Sequence, residues 1–323
     1  MNYGLPYMGS KNRIARDIVE QLPSAEYFVD LFCGGCAVTH AAMLSGKYKK
    51  FIVNDIAPDM PRLFVDAING KYRNEKRWIS REDFERLKDT DTYVRTCWSF
   101  GNGGYSYIYG RKIEPWKKAL HYARVLGDFS LLKRDFGIDT DDASRQNIAK
   151  NADTWKLRDK LKYSLESLES LQSLESLQSL ESLQSLENLQ NLQSMNNLRR
   201  LQSLERQESN LQVFSSDYQS VEIPADSCVY CDIPYKGTAE YKDGGFDYPR
   251  FYNWLRTRDY PVWVSEYAMP DDFVSVWSRN KICSYGANSN KKTIEHLFVH
   301  KRFADNAVSG NLPLFERKDA VNE

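Results

Sequence analysis

The sequence predicts an α/β fold in which one open sheet is assembled from both ends of the chain and interrupted by a helical insertion. Three observations carry this. A strand, a glycine turn, a helix and a second strand ending in an acid occupy residues 27–55. Three further apolar, β-rich runs lie beyond residue 226. Between these regions stand a basic, aromatic-rich segment and a leucine repeat. With 323 residues, 41% of them apolar and 27% charged, the chain can bury the core such a fold needs.

Tyr27–Phe32 (YFVDLF) has strand composition and runs into Cys33-Gly34-Gly35-Cys36-Ala37. Val38–Leu44 reads as a helix, and Phe51–Val53 as a second short strand ending in Asn54-Asp55. Together they make a βαβ unit. Asp55 follows Gly34 at about the 20-residue distance that places a carboxylate on a ribose in nucleotide-binding units of this kind. Later, Ser227–Cys231, Pro261–Ser265 and Thr293–Val299 read as strands, with a helix over Phe246–Arg256. The expected division is a discontinuous catalytic domain over 1–60 and 207–323, an inserted domain over 61–163 and a repeat insertion over 164–206.

The formal net charge is zero, so the molecule as a whole does not advertise a nucleic-acid partner. Its distribution does more. Lys71–Arg124 holds 13 Lys/Arg against 7 Asp/Glu, interleaved with Trp78, Tyr93, Trp98, Phe100, Tyr105, Tyr107, Tyr109 and Trp116. Such a segment suits phosphate and base contacts, and equally suits a helical subdomain with its own aromatic core.

From Leu165 to Leu192 leucine recurs at every third residue, and again from Leu198 to Leu204, with Met195 at the intervening beat. This is neither a heptad nor a 3.6-residue pattern. On an α-helix it rotates about 60° backward per repeat and spreads leucines around the cylinder. A helix is favoured over a solenoid, as an expanded connection or an oligomerisation element.

No apolar run approaches the roughly 20 residues of a membrane span, and the N-terminus lacks signal-peptide character, so a cytoplasmic protein is expected. Six cysteines in so long a chain suggest reduced thiols. The pairs Cys33/Cys36 and Cys228/Cys231 lie too far apart for a zinc ribbon, so no metal is expected.

Asp232-Ile233-Pro234-Tyr235 follows an apolar strand directly, at the carboxyl end where open α/β sheets bind ligands. It can offer the Asp232 carboxylate and the Ile233 carbonyl to the two hydrogens of an aromatic amine. Held so, the nitrogen keeps its lone pair out of the ring and can attack an electrophilic methyl group directly. Pro234 stiffens the turn and Tyr235 can stack on a base. An ordinary turn after a strand has the same local appearance. Phe32-Cys33-Gly34-Gly35 opens a turn where backbone can approach a ligand, but the GxGxxG fingerprint of dinucleotide oxidoreductases is missing.

In order along the chain, Gly9-Ser10-Lys11, Phe32-Cys-Gly-Gly-Cys36, the basic segment and Asp232-Ile-Pro-Tyr235 resemble the Dam-like, DPPY-type family of DNA adenine-N6 methyltransferases. The likeness covers most of the chain outside the leucine repeat. It implies a Rossmann-like S-adenosylmethionine-dependent sheet with an inserted helical target-recognition domain. It further implies cofactor contacts from Tyr7, Lys11, Asp30, Phe32, Gly34, Gly35, Asp55, Asp217 and Asp232, and transfer to an adenine flipped out of double-stranded DNA. Within Ser99–Arg111, Asn102, Tyr105, Tyr107 and Arg111 become DNA-contact candidates. Any restriction endonuclease would be a separate chain. Two departures stand out: Ile233 replaces the first proline, keeping the carbonyl, and Cys36 occupies the last glycine position of the loop. The same geometry would serve the cytosine N4 amine or an RNA base, and an inactive scaffold oligomerising through the repeat is the alternative of another class. Tyr235 and the resemblance favour adenine, and retention of Lys11, Asp55 and Asp232 favours an active enzyme.

Overall fold

The computed structural model describes residues 3–7, 9–139, 190–235, 245–285 and 289–304. It divides into two compact units, the first comprising Met1–Leu5, Gly9–Gly70 and Asn197–Glu323, the second Pro6–Met8 and Lys71–Asn196.

The first unit is built on a seven-stranded sheet. Its strands are β1 (Tyr27–Asp30), β2 (Lys50–Asn54), β3 (Leu211–Phe214), β4 (Ser227–Cys231), β5 (Val262–Glu266), β6 (Phe273–Tyr285) and β7 (Ser289–His300), in spatial order β3-β2-β1-β4-β5-β7-β6. β3, β2, β1, β4 and β5 run parallel, and β7 is antiparallel to both β5 and β6. The parallel strands are covered on both faces, which is why they read as continuous apolar runs: Phe28, Val29, Val229, Tyr230 and Val264 are all fully buried. Helices α1 (Ala15–Gln21), α2 (Ala37–Ser45) and α3 (Asp59–Ile68) belong to this unit. α3 packs on β3, beyond the boundary expected at residue 60. Two strands escaped the sequence reading. β3 has only four residues at a sheet edge, and β6 alternates apolar and polar residues into a charged stretch.

Strand order reverses between β1 and β4, whose register pairs Asp30 with Tyr230. The turns leaving these two strands therefore begin side by side at the switch point of the sheet, where α/β folds open a ligand crevice.

In the second unit, α4 (Arg81–Leu87) is capped by Ser80 and α5 (Thr92–Cys97) by Asp91, each side chain accepting a backbone N–H of the first turn. α6 (Glu114–His121) runs into a π turn over Tyr122–Leu126, and α7 (Ser130–Phe136) follows. Tyr93, Trp98, Tyr107, Tyr109 and Trp116 are buried, and Trp78 stacks on Tyr109 at 5.8 Å. Most aromatics of the basic segment thus build a core.

Residues 164–189 of the leucine repeat lie outside the described residues. Its end is α8 (Gln190–Leu201), continued by a 3-10 helix over Gln202–Asn210. Met195, Leu198, Leu201 and Leu204 are all buried. A 3-10 helix has about three residues per turn, so there a period-three stripe stays on one face. At the start of α8, Asn191 accepts a hydrogen bond from the Tyr109 hydroxyl at 2.5 Å and meets His121 Nδ1 at 3.0 Å. The last repeats are therefore part of the packed protein.

Candidate active site

The glycine loop leaves β1 with Leu31 N–H donating to Tyr230 O and Cys33 N–H donating to Asn54 O. Gly34 (φ 44°) and Cys36 (φ 55°) both take left-handed backbone conformations. Cys36, the departure from the family pattern, stands where a glycine would carry no Cβ penalty of roughly 1–2 kcal/mol. The loop is braced from the N-terminus. Leu5 N–H donates to Gly35 O at 2.7 Å, and a Cβ on Gly4 (φ 69°) would lie 2.4 Å from that same carbonyl. Gly4 N–H in turn donates to His40 Nδ1 at 2.9 Å. Burial pushes the His40 imidazole down to about 4, so it stays a neutral acceptor. Cys33, Cys36, Cys97, Cys228 and Cys231 are buried free thiols.

Asp55 clasps this loop. Its Oδ2 accepts from Gly34 N–H at 2.8 Å and its Oδ1 from Ala57 N–H at 2.9 Å. Burial raises its carboxyl, against the pull of those two amides. Asn54 ties the strand ends together, donating to Leu31 O and Ser216 O and accepting from Ser216 N–H. The sequence reading passed over it, because a polar residue ending a strand carries no distinctive signal. Asp30 is 1% exposed beneath the loop, with Oδ2 accepting from the Thr39 hydroxyl at 2.7 Å. Burial lifts its carboxyl to about 7, and the charges of Asp232 and Asp55 add to the shift. Asp217 accepts from Gln219 N–H and pairs with Arg250 at 2.8 Å. Phe32 packs among Tyr218, Phe246 and Phe251.

At the end of β4, Ile233 sinks its side chain into the core while Pro234 O accepts from the Tyr248 hydroxyl. The Asp232 side chain keeps 22% of its surface exposed, and its Oδ1 lies 2.6 Å from Lys11 Nζ. Lys11 is 4% exposed, and its Nζ also lies 3.7 Å from Glu295 Oε1 and 4.3 Å from the centre of the Tyr235 ring. The Tyr235 hydroxyl donates to Glu295, and Tyr267 meets the ring edge-on at 4.5 Å. Burial opposes the Lys11 charge, yet Asp232, Glu295 and Glu266 together raise its pKa above the ordinary value. Glu266 and Glu295, on β5 and β7, were not anticipated from sequence.

The structure thus brings Lys11, Asp30, Phe32, Gly34, Gly35, Asp55, Asp217 and Asp232 into one unit, whereas Tyr7 belongs to the other. Four acids stand at or near the carboxyl ends of parallel strands, and two apolar side chains near them, Ile56 (70%) and Phe214 (41%), are exposed. Acceptors for hydroxyls and amines, apolar surface for a purine and negative charge for a sulfonium fit S-adenosylmethionine.

Among the DNA-contact candidates, Tyr105 and Arg111 are exposed. Tyr107 is a correction: it is buried, and its hydroxyl donates to Ile79 O at 2.7 Å, which leaves no surface for a base. Asn102 spends its amide on Thr96 O and Ser194 Oγ, holding the loop that Ser99 and Tyr107 close by a β-bridge. The same loop exposes Phe100 (69%), which the sequence could not separate from the core aromatics around it.

The strand order differs from the 3-2-1-4-5-6 arrangement of dinucleotide-binding sheets by an antiparallel β7 inserted between β5 and β6. With the glycine turn after β1 and Asp-Ile-Pro-Tyr after β4, this is a Rossmann-like methyltransferase. Residues 7–250 match the family model of the D12 class N6 adenine-specific DNA methyltransferases, and the chain belongs to that family. It is an enzyme that methylates adenine N6 in DNA, with S-adenosylmethionine as the donor the family implies. No curated protein matched the chain. Among the described residues no helix is long and apolar enough to cross a membrane.

Proposed function

We propose that S-adenosylmethionine is held by Asp30, Phe32, Gly34, Gly35, Asp55, Asp217 and Asp232, with Lys11, and that Asp232-Ile233-Pro234-Tyr235 delivers the adenine amine to it. Bound there, the donor supplies a methyl group on a positively charged sulfur. Asp232 accepts one hydrogen of the N6 amine and the Ile233 carbonyl the other, turning the lone pair toward the methyl group. Lys11 fixes the Asp232 carboxylate in one orientation. Tyr235 is assigned to stack on the base; its ring is buried here, with Lys11 over it and Tyr267 against it. The observation that carries this reading is the part-buried 2.6 Å Lys11–Asp232 pair at the carboxyl end of β4.

The target adenine is rotated out of double-stranded DNA, since its amine cannot be reached within the helix. Residues 71–163 act as the target-recognition domain, with 1–70 and 207–323 as the catalytic domain, since α3 packs on β3, and 164–206 as an insertion. Phosphates meet the basic surface, and Tyr105, Arg111 and Phe100 approach the bases. The setting is the cytoplasm, where a separate endonuclease could share the target sequence.

Tritiated methyl transfer to mixed-sequence duplex DNA, followed by nucleoside analysis, tests the site. Label in N6-methyladenine, lost in Asp232→Ala, is expected. Label in N4-methylcytosine would keep the mechanism and change the base, and an active Asp232→Ala would remove the assigned site.

A further inference from the structure

Glu295 is a carboxylate with no exposed surface, in the middle of β7. Such a group persists in a core only where something holds it. Here the Tyr235 hydroxyl donates to its Oε1, and the Lys11 ammonium lies 3.7 Å from the same oxygen. Lys11 therefore meets two carboxylates, Asp232 beyond β4 and Glu295 on β7, with its ammonium over the Tyr235 ring. The groups facing Lys11 are Asp232, Glu295, Glu266 on β5 and Tyr235.

We infer that Glu295 is a positioning residue for methyl transfer, anchoring Lys11 and Tyr235 together so that Asp232 and the tyrosine ring keep the geometry the adenine amine requires. This rests on the reading of Asp232 as the acceptor for that amine. A lysine held by one carboxylate can slide across both of its oxygens and drain its acceptor strength. A second carboxylate on a neighbouring strand prevents this and adds negative charge that keeps Lys11 protonated in a buried setting. Glu295 touches neither reactant and acts through Lys11 and Tyr235.

Glu295→Gln keeps the shape and an acceptor for the Tyr235 hydroxyl while removing the charge. The expected result is a kcat lowered at least tenfold, with the dissociation constant for S-adenosylmethionine, from calorimetric titration, within about threefold of wild type. The alkaline limb of the kcat profile should move downward by about one pH unit, because Lys11 has lost a carboxylate. Melting without cofactor gives an independent readout. Lys11→Met leaves three buried or half-buried acids without their cation, so the double variant Lys11→Met/Glu295→Gln should melt higher than Lys11→Met alone. An unchanged kcat and limb in Glu295→Gln, or strictly additive melting shifts, would overturn the proposal and make Glu295 a core filler. Asp232→Ala run alongside separates the two levels: if it transfers label, the site reading fails and takes this proposal with it.

Discussion

The Lys11 ammonium and the Asp232 carboxylate lie 2.6 Å apart across 221 residues of sequence, and this pair locks the N-terminal loop to the end of β4. Removing one partner of a buried pair leaves an uncompensated charge, at about 3–5 kcal/mol. Lys11→Met should therefore lower the melting temperature at pH 8 and reduce transfer at least a hundredfold. The pH dependence has a definite sign. The folded pKa of Lys11 is raised above the ordinary lysine value, so its stabilisation is complete below that value and is lost as pH rises through the folded one. The gap between wild type and Lys11→Met should narrow only at strongly alkaline pH, which melting curves at pH 8 and above would reveal.

Asp55 makes a different prediction, because both of its oxygens serve backbone amides. An asparagine can accept from only one of them, and hydrogen bonds to a charged group contribute about 1.5–3 kcal/mol. Asp55→Asn should weaken cofactor binding by roughly tenfold or more, since that range spans about one to two powers of ten. DNA affinity measured without cofactor should hold. Equal loss of both would mean that Asp55 supports the whole unit rather than the loop.

Asp30 should trade stability for its place in the site. Its folded pKa of about 7 lies above the unfolded value, so the native protein takes up a proton that the unfolded chain has released. That stabilisation is complete below roughly pH 4 and is lost as pH rises through 7. His40 works in the opposite sense. Its folded pKa of about 4 is depressed, so its neutral form favours the native state at neutral pH, an advantage lost as pH falls from about 6.5 through 4. The two slopes overlap in the wild-type curve, so the informative quantity is a difference. Asp30→Asn minus wild type should be a larger melting increase at pH 8 than at pH 5, while methyl transfer falls. A gain independent of pH would show that Asp30 ionises in the folded protein as it does in the unfolded chain, with no raised pKa.

The sequence disclosed what local pattern encodes. The buried strands β1, β2 and β4 were legible because parallel strands covered on both faces are written as unbroken apolar runs, and Asp55 and Asp232 because each follows such a run. Glu266 and Glu295 were not legible. Each is a single acid in a strand, and its value comes from a lysine more than 250 residues earlier. In the basic segment, composition could not tell an aromatic that faces water from one that faces its neighbours. The repeat was ambiguous because a period of three matches an α-helix poorly, and the change to 3-10 geometry at Gln202 is a tertiary outcome.

Phe100 and Tyr107 allow that ambiguity to be settled in solution. They stand on one loop, 69% and 5% exposed, with Tyr107 tied to Ile79 O. Tyr107→Phe should cost about 1 kcal/mol through the lost hydrogen bond. Tyr107→Ala should cost about 3–5 kcal/mol through the cavity it leaves. Phe100→Ala removes surface that water already reaches, so its melting temperature should stay close to wild type. If Phe100 approaches the bases, as proposed, its loss should instead weaken duplex binding several-fold by fluorescence anisotropy, since aromatic contact with a base is worth about 1–3 kcal/mol. A stable Phe100→Ala that binds duplex normally would shift recognition to Tyr105 and Arg111. An unstable one would place Phe100 in the fold rather than at the DNA.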